Sequence, residues 1–159
     1  MLCISFEENY LNYFGGILMK KKLLFAMVLL IICIGVVSAN QTVTVGDYKF
    51  NIPDNYEHVR ASDIDNQNAT INFQDCHVDS KTFANYFQEI SITVTTLDDG
   101  EFPDAMKSFY GGGHDTNIKG IDGYIFLDGN DYGFSYVIDG KWIVIKSWDL
   151  YNIEDIIIP

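Results

Sequence analysis

Four residues able to hold a metal fall within one stretch of five: Asp75, Cys76, His77 and Asp79. A thiolate beside an imidazole suits a soft metal ion. A closed zinc site needs four ligands, however, and its sequence signature is two spaced pairs. The chain contains no CxxC and no HxxxH, and the other histidines, His58 and His114, are far away in sequence. Residues 76–80 are therefore read as a polar turn or hairpin loop with a small, partly buried thiol. The expectation is no metal and no cofactor, with Asp75, Cys76, His77 and Asp79 as the candidates to inspect.

Other chemical patterns fall short on similar grounds. Asp128, Asn130, Gly133 and Asp139 echo the first, third, sixth and last positions of a calcium loop, but Tyr132 occupies the fifth position and the bidentate Glu is missing at the end. Asp139 is moreover the first residue of an Asp-Gly turn. Gly111-Gly112-Gly113-His114 follows a predicted helix, where the backbone offers carbonyls, whereas a phosphate cradle places its glycines ahead of a helix N-terminus. His114 is read as sitting at that helix end. There is no GxSxG, and no spacing gathers Ser, His and Asp. A carboxylate pair for glycoside hydrolysis cannot be chosen among so many acids. The chain is accordingly expected not to be an enzyme.

Aromatic side chains offer a different chemistry. Tyr124, Tyr132, Tyr136, Trp142, Trp148 and Tyr151 gather near the C-terminus. Exposed rings stack on the apolar faces of sugars, while buried rings fill a core. Tyr136 and Trp142 are read as core, and Trp148 and Tyr151 as the exposed candidates for ligand stacking. Two glycosylation sequons are present, Asn40-Gln41-Thr42 and Asn68-Ala69-Thr70. Asn68, in a predicted polar loop, is the better acceptor, since Asn40 would become the first residue of a processed chain.

The elements that position these residues come after an export segment. Lys20, Lys21 and Lys22 form a positive cluster, residues 23–37 are apolar and uncharged, and Val37-Ser38-Ala39 suits a signal peptidase. Cleavage is expected after Ala39, with Met19 as the true start, residues 1–18 as an upstream extension and 19–39 as the signal proper. The rival is a retained membrane anchor at 23–37, although a full span takes about 20 apolar residues. On either reading the rest of the chain faces outward. It is expected to be a single domain over 40–159, extracellular or on the outer cell surface.

The whole chain has 159 residues and a net charge of −12. Residues 1–39 carry three Lys and two Glu, which leaves 40–159 with seven basic and 20 acidic residues. That balance argues against nucleic acid, whose binding depends on Lys and Arg neutralising phosphates, and against an anionic membrane surface. Membrane contact is expected only through an uncleaved 23–37 segment. Cys3 and Cys33 precede residue 40, so Cys76 has no internal disulfide partner in the domain. The fold must then rest on its apolar core, and the 18 aromatic residues after position 39 make one plausible.

Along the domain, Val43 and Val45, then Tyr48, Phe50 and Ile52, alternate with polar residues around Gly46-Asp47, and predict an opening hairpin ended by Pro53. Residues 57–69 read as a loop and 70–75 as a short strand. The stretch 81–97 is ambiguous, because Phe83, Tyr86, Phe87 and Ile90 have helical spacing while Ile90, Ile92 and Val94 alternate. A strand is expected from about 88 to 97, for its β-branched density. Pro103 and Gly111 bracket a short helix near 103–110, with Ala105, Met106, Phe109 and Tyr110 on its buried face. A strand over 118–127, broken by Gly120 and Gly123, precedes a hairpin over 132–147 turning at Asp139-Gly140. An Asp-Gly loop favours a type I′ turn, which sets Ile138 opposite Lys141, Tyr136 opposite Ile143 and Phe134 opposite Ile145. Both faces of this hairpin are apolar, so it should lie mid-sheet with helices on both sides. Asp149 is a predicted N-cap for a closing helix near 149–157.

Two motifs resemble those of small exported proteins of methanogenic archaea. The first is F-x-I-P-x-x-Y, carried by Phe50, Ile52, Pro53 and Tyr56. The second is carried by Ile118, Gly120, Gly123, Tyr124, Phe134, Tyr136, Asp139, Gly140, Lys141 and Ile145. The resemblance implies an exported address and a shared fold, and implies no activity or site. In architecture the domain is also similar to the Mog1/PsbP-like α/β/α sandwich, an antiparallel sheet with helices on both faces. The expected fold is α+β, an antiparallel sheet of six to seven strands with a helix near 103–110 and another near 149–157. The expected function is a non-enzymatic binding or interaction module with a cell-surface or extracellular partner. The alternatives are a domain binding carbohydrate or a divalent cation, and thirdly a hydrolase.

Overall fold

The computed structural model describes residues 40–158; the expected upstream extension and export segment over 1–39 lie outside the described residues, as does Pro159. The described chain is α+β and mostly antiparallel sheet. The expected strand number needs correction. Among the described residues ten strands form, eight in one sheet and two in a separate hairpin. The main sheet runs β3-β5-β6-β10-β9-β8-β7, and β4 also pairs with β5. The extra strands arise where polar residues had suggested loops.

The centre of the sheet follows the hairpin pattern. Strands β9 (Asp131–Ile138) and β10 (Lys141–Ser147) pair with Ile138 opposite Lys141, Tyr136 opposite Ile143 and Phe134 opposite Ile145. Asp139 and Gly140 both have positive φ, +50° and +71°, as a type I′ turn requires. On the far side of β10 lies β6 (Glu89–Leu97), with Ile143 opposite Val94 and Ile145 opposite Ile92. Successive side chains point to opposite faces, so Ile143 and Ile145 enter one layer and Trp142 and Val144 the other.

One face is covered by the opening hairpin and the closing helix. Strands β1 (Gln41–Val45) and β2 (Tyr48–Ile52) place Val45, Phe50 and Ile52 in the layer that contains Ile90, Ile92, Phe134, Ile143 and Ile145. Helix α1 (Leu150–Ile156) adds Ile153 and Ile156, and Ile157 bridges to Phe50 of β2. Asp149 caps α1 as expected, its Oδ1 accepting from the Tyr151 N–H at 3.0 Å.

The opposite face departs from the expected helix. Residues Asp104–Ser108 form a five-residue 3-10 turn after Pro103. With about three residues per turn, it buries Met106 and leaves Ala105, Phe109 and Tyr110 exposed. Phe102, Met106, Leu97, Cys76, Phe126, Trp142 and Val144 form the core of this layer. The sheet is therefore sandwiched, with a strand pair plus α1 on one side and a 3-10 turn on the other.

The edges hold the remaining corrections. Residues 57–69 contain β3 (Glu57–His58), a 3-10 turn at Arg60–Ser62 and the start of β4 (Ile64–Ile71). The expected strand at 70–75 is a chain reversal: Asn72 and Phe73 both have positive φ and join β4 to β5 (Gln74–Ala84). The expected loop at 76–80 is the body of β5, where Cys76 and Val78 alternate with His77 and Asp79. Residues 118–127 span two strands, β7 (His114–Ile118) and β8 (Ile121–Asp128), which turn at Lys119-Gly120. Gly123 does mark a crowded backbone, since a Cβ there would meet the Phe134 ring, and Gly133 lies likewise beneath Phe126. His114 opens a strand instead of closing a helix.

Candidate functional site

The candidate metal ligands are split by the pleat of β5. Cys76 is buried in the apolar layer against Leu97 and Phe102, whereas Asp75, His77 and Asp79 point to the other face. Each acid on that face already has a local partner: Thr70 Oγ1 donates to Asp75 Oδ1 at 3.2 Å and the Asn66 N–H to Asp79 Oδ1 at 2.9 Å. His77 Nε2 lies 3.2 Å from Asp98 Oδ1, and its Nδ1 is buried without a partner. Burial pushes the Cys76 thiol above its ordinary pKa, with Asp98 and Asp75 adding to the effect. A thiol held neutral on one face and an imidazole on the other do not make a shared site. Among the described residues no three of His, Cys, Asp and Glu are grouped to hold a metal ion.

The calcium-like pattern is likewise dispersed. Asp128 and Asp139 lie at opposite ends of the sheet, since Asp128 pairs with Asp131 at the start of β9 and Asp139 follows its end. Asp128 is also bound by Lys146 Nζ at 2.6 Å. Gly111 and Gly112 have positive φ and stop the 3-10 turn, and Gly113 donates its N–H to the Tyr124 hydroxyl at 2.7 Å. His58 contacts Asp63 at 2.7 Å and stacks on Phe83. Among the described residues, no Ser, Thr or Cys side chain is hydrogen-bonded to a histidine to complete a nucleophilic relay. Asn68 is exposed, on edge strand β4 instead of in a loop, so its sequon faces solvent.

The aromatic candidates gather at one end of the sheet. Trp148 is 50% exposed and Tyr151 77%. Ser147 pairs with Ile90 of β6 and with Tyr132 of β9, so Trp148, the next residue, leaves the sheet beside the β5–β6 turn. That turn carries Tyr86 and Phe87, which are 98% and 93% exposed. The neighbouring β8–β9 end adds Leu127 and Tyr132, which pair across the hairpin and are both partly exposed.

A partly buried polar network fixes this end. The Tyr56 hydroxyl donates to Gln88 Oε1 at 2.7 Å and accepts from Asn152 Nδ2 at 3.0 Å. Asn152 Nδ2 also reaches Ser147 Oγ at 3.3 Å, and Gln41 Nε2 donates to the Tyr56 carbonyl at 2.9 Å. The β5–β6 turn, the end of β10, α1 and β1 are thus tied to one tyrosine. The turn is set by Asn85, whose Oδ1 accepts from the N–H groups of Phe87 and Gln88 at 3.0 and 2.9 Å. A shallow cleft of ≈ 420 Å³ opens here, lined by Asn55, Asn85, Tyr86, Phe87 and Gln88.

Tyr86 and Phe87 are the site residues that sequence reasoning passed over. Their spacing with Phe83 and Ile90 suggested a helix face, but Phe83 and Ile90 pair with one another in the sheet and are buried, while Tyr86 and Phe87 cap the turn between them. The available signal was Asn85, an amide that hydrogen-bonds the backbone two residues on and favours a turn. In comparisons with known proteins, no family model, no curated protein and no solved structure matches this chain.

Proposed function

We propose that the chain is a non-enzymatic binding module, exported to the outer cell surface, and that it binds through the aromatic end of its sheet. The observation that carries this reading is the convergence of Tyr86, Phe87, Trp148 and Tyr151, all highly exposed, from two separate segments onto one end. Large rings left in water cost free energy that burial would recover, at about 25 cal/mol per Å² of apolar surface, and grouped exposed apolar rings mark interaction sites. The Tyr56 network holds the turn and α1 in place before any partner arrives, which lowers the entropic cost of binding. The outward address rests on the lysine cluster and apolar run at 20–37 and on the resemblance of both motifs to exported archaeal proteins. A non-catalytic role is supported by how the reactive groups are used: Cys76 is buried and held neutral, and His58 and His77 are each paired with an aspartate.

The reading is tested by binding of the purified full chain to isolated cell-envelope material. The quadruple variant Tyr86→Ser, Phe87→Ser, Trp148→Ser, Tyr151→Ser should lose binding. Phe73→Ser, which removes an equally exposed ring at the opposite end, should retain it. Unchanged binding by the quadruple variant, with its far-UV spectrum intact, would sink the assignment of this end.

A further inference from the structure

We infer that the cleft at the β5–β6 turn takes a neutral saccharide unit, stacked on Tyr86 and Phe87 and hydrogen-bonded by the amides of Asn55 and Gln88. This rests on the aromatic end being the binding face, and names the class of ligand and the part of that face which receives it.

The chemistry of the lining selects the ligand. The described domain is strongly acidic, yet none of the five lining residues carries a charge. An ionic ligand would find neither a cation to pair with nor a carboxylate cluster to bind it. Two of the five are aromatic rings almost fully open to solvent, with centroids 6.5 Å apart and planes tilted by 52°. The other three are amides. Asn85 spends its Oδ1 on the backbone of its own turn, and Gln88 spends its Oε1 on Tyr56. In Gln88 the carbonyl end is engaged and the NH₂ group makes no other hydrogen bond among the described residues, whereas the Asn85 side chain also reaches the Tyr56 hydroxyl. The Asn55 side chain makes none at all among them. What remains on offer is a set of N–H donors beside apolar ring faces. A pyranose presents the complement: C–H groups on one face, which pack on an aromatic ring, and hydroxyl oxygens around its edge, which accept from amides.

The geometry is also held ready. Gln88 owes its orientation to a bond made inside the protein, and Asn85 fixes the turn that carries the two rings, so the cleft is set without help from the ligand. Gln88 is tied through Tyr56 to Asn152, next to Tyr151 on α1. A longer glycan can run from the cleft along Trp148 and Tyr151, whereas a single residue needs only the cleft.

The test is a titration of the full chain with neutral oligosaccharides of glucose, galactose, mannose and N-acetylglucosamine, and with their sulfated and sialylated counterparts, followed by ring proton shifts of Tyr86 and Phe87. At least one neutral series should bind, and both Tyr86→Ala and Phe87→Ala should weaken it roughly tenfold or more, the loss of one good stacking contact. Asn55→Ala should weaken it by a smaller factor, while Phe73→Ala, at the opposite end of the sheet, should leave it unaffected. All four side chains are exposed or partly so, and unchanged thermal midpoints should accompany these losses. Preference for the charged series, an equal loss of binding in Phe73→Ala, or no binding to any neutral glycan would each overturn the inference. If the full chain still binds cell-envelope material through this end while excess neutral oligosaccharide fails to compete, the ligand is of another class; the aromatic end then stands as a binding face and the saccharide assignment falls.

Discussion

Ser135 is buried in the layer that contains Trp142, and Trp142 Nε1 donates to its hydroxyl at 2.6 Å. Ser135→Ala would leave an indole N–H buried without an acceptor, so stability should fall by about 1–3 kcal/mol. Urea denaturation checks this as a lower midpoint at unchanged slope; an unaltered midpoint would mean that another group accepts the bond. Cys76 makes a contrasting case. Since burial disfavours its thiolate, an aromatic disulfide reagent should modify the native protein far more slowly than the urea-unfolded chain. Rapid native labelling would contradict its placement in the core. This residue also shows where single-residue reasoning loses its hold. Between Asp75 and His77, Cys76 reads as part of a polar loop, because composition outweighs alternation in so short a window. Trp148 and Tyr151 were legible as exposed, since neither falls on the apolar rows of its element. Tyr86 and Phe87 were not, because hydrophobicity alone predicts burial and it takes the Asn85 turn to expose them.

Turns decide which elements could be read. Gly46-Asp47 and Asp139-Gly140 announce their hairpins because their chemistry matches the positive φ that such turns demand. Asn72-Phe73 does the same work with a residue that opposes it: Phe73 has φ +66° and a side chain fully in solvent, at 102% exposure. Nothing is packed there to be lost, so Phe73→Gly should relieve left-handed strain and stabilise the domain by about 1 kcal/mol, measured as a raised thermal midpoint. A lowered midpoint would show that the ring is engaged after all. The same mismatch explains why residues 70–75, which cross this turn from the end of β4 to the start of β5, read as one strand in the sequence. In the central meander, Gly133 lies under the Phe126 ring, and Gly133→Ala should cost about 1–3 kcal/mol through displacement of that ring. The β7–β8 turn at Lys119-Gly120 was blurred because Ile118 and Ile121 continue the apolar run on either side of it. Central strands were thus recognisable from two-sided apolar patterning, while β3 and β4, polar and at the edge, were not.

Over the described domain, three buried or half-buried tyrosines resist ionisation. Burial raises the pKa of Tyr48, Tyr56 and Tyr136 above their ordinary value of 10.0, with Asp139 adding to the rise at Tyr48. The folded state therefore favours the protonated phenols. Their contribution is fully present below about pH 10, where the unfolded chain also keeps its protons, and is lost as the pH rises through the folded-state values. The thermal midpoint should hold steady up to about pH 9.5 and fall steeply above pH 10, with a late component of the tyrosinate absorbance rising together with unfolding. Completion of the whole absorbance rise before unfolding would show these three hydroxyls to be accessible. The order of the sheet has a further consequence, for the timing of folding. Strand β10 is the last strand made and lies between β6 and β9, pairing Ser147 with Ile90. A chain emerging N-terminus first, from a ribosome or a translocation pore, can form its β5–β6 hairpin early. The free edge of β6, with Ile90, Ile92 and Val94, then stays unpaired until nearly the whole domain has been delivered. Closure of that long loop sets the pace, and until it occurs the waiting edge is open to pairing with a neighbouring chain. Slow or interrupted delivery of the last strand is therefore the moment at which this domain is most prone to aggregate.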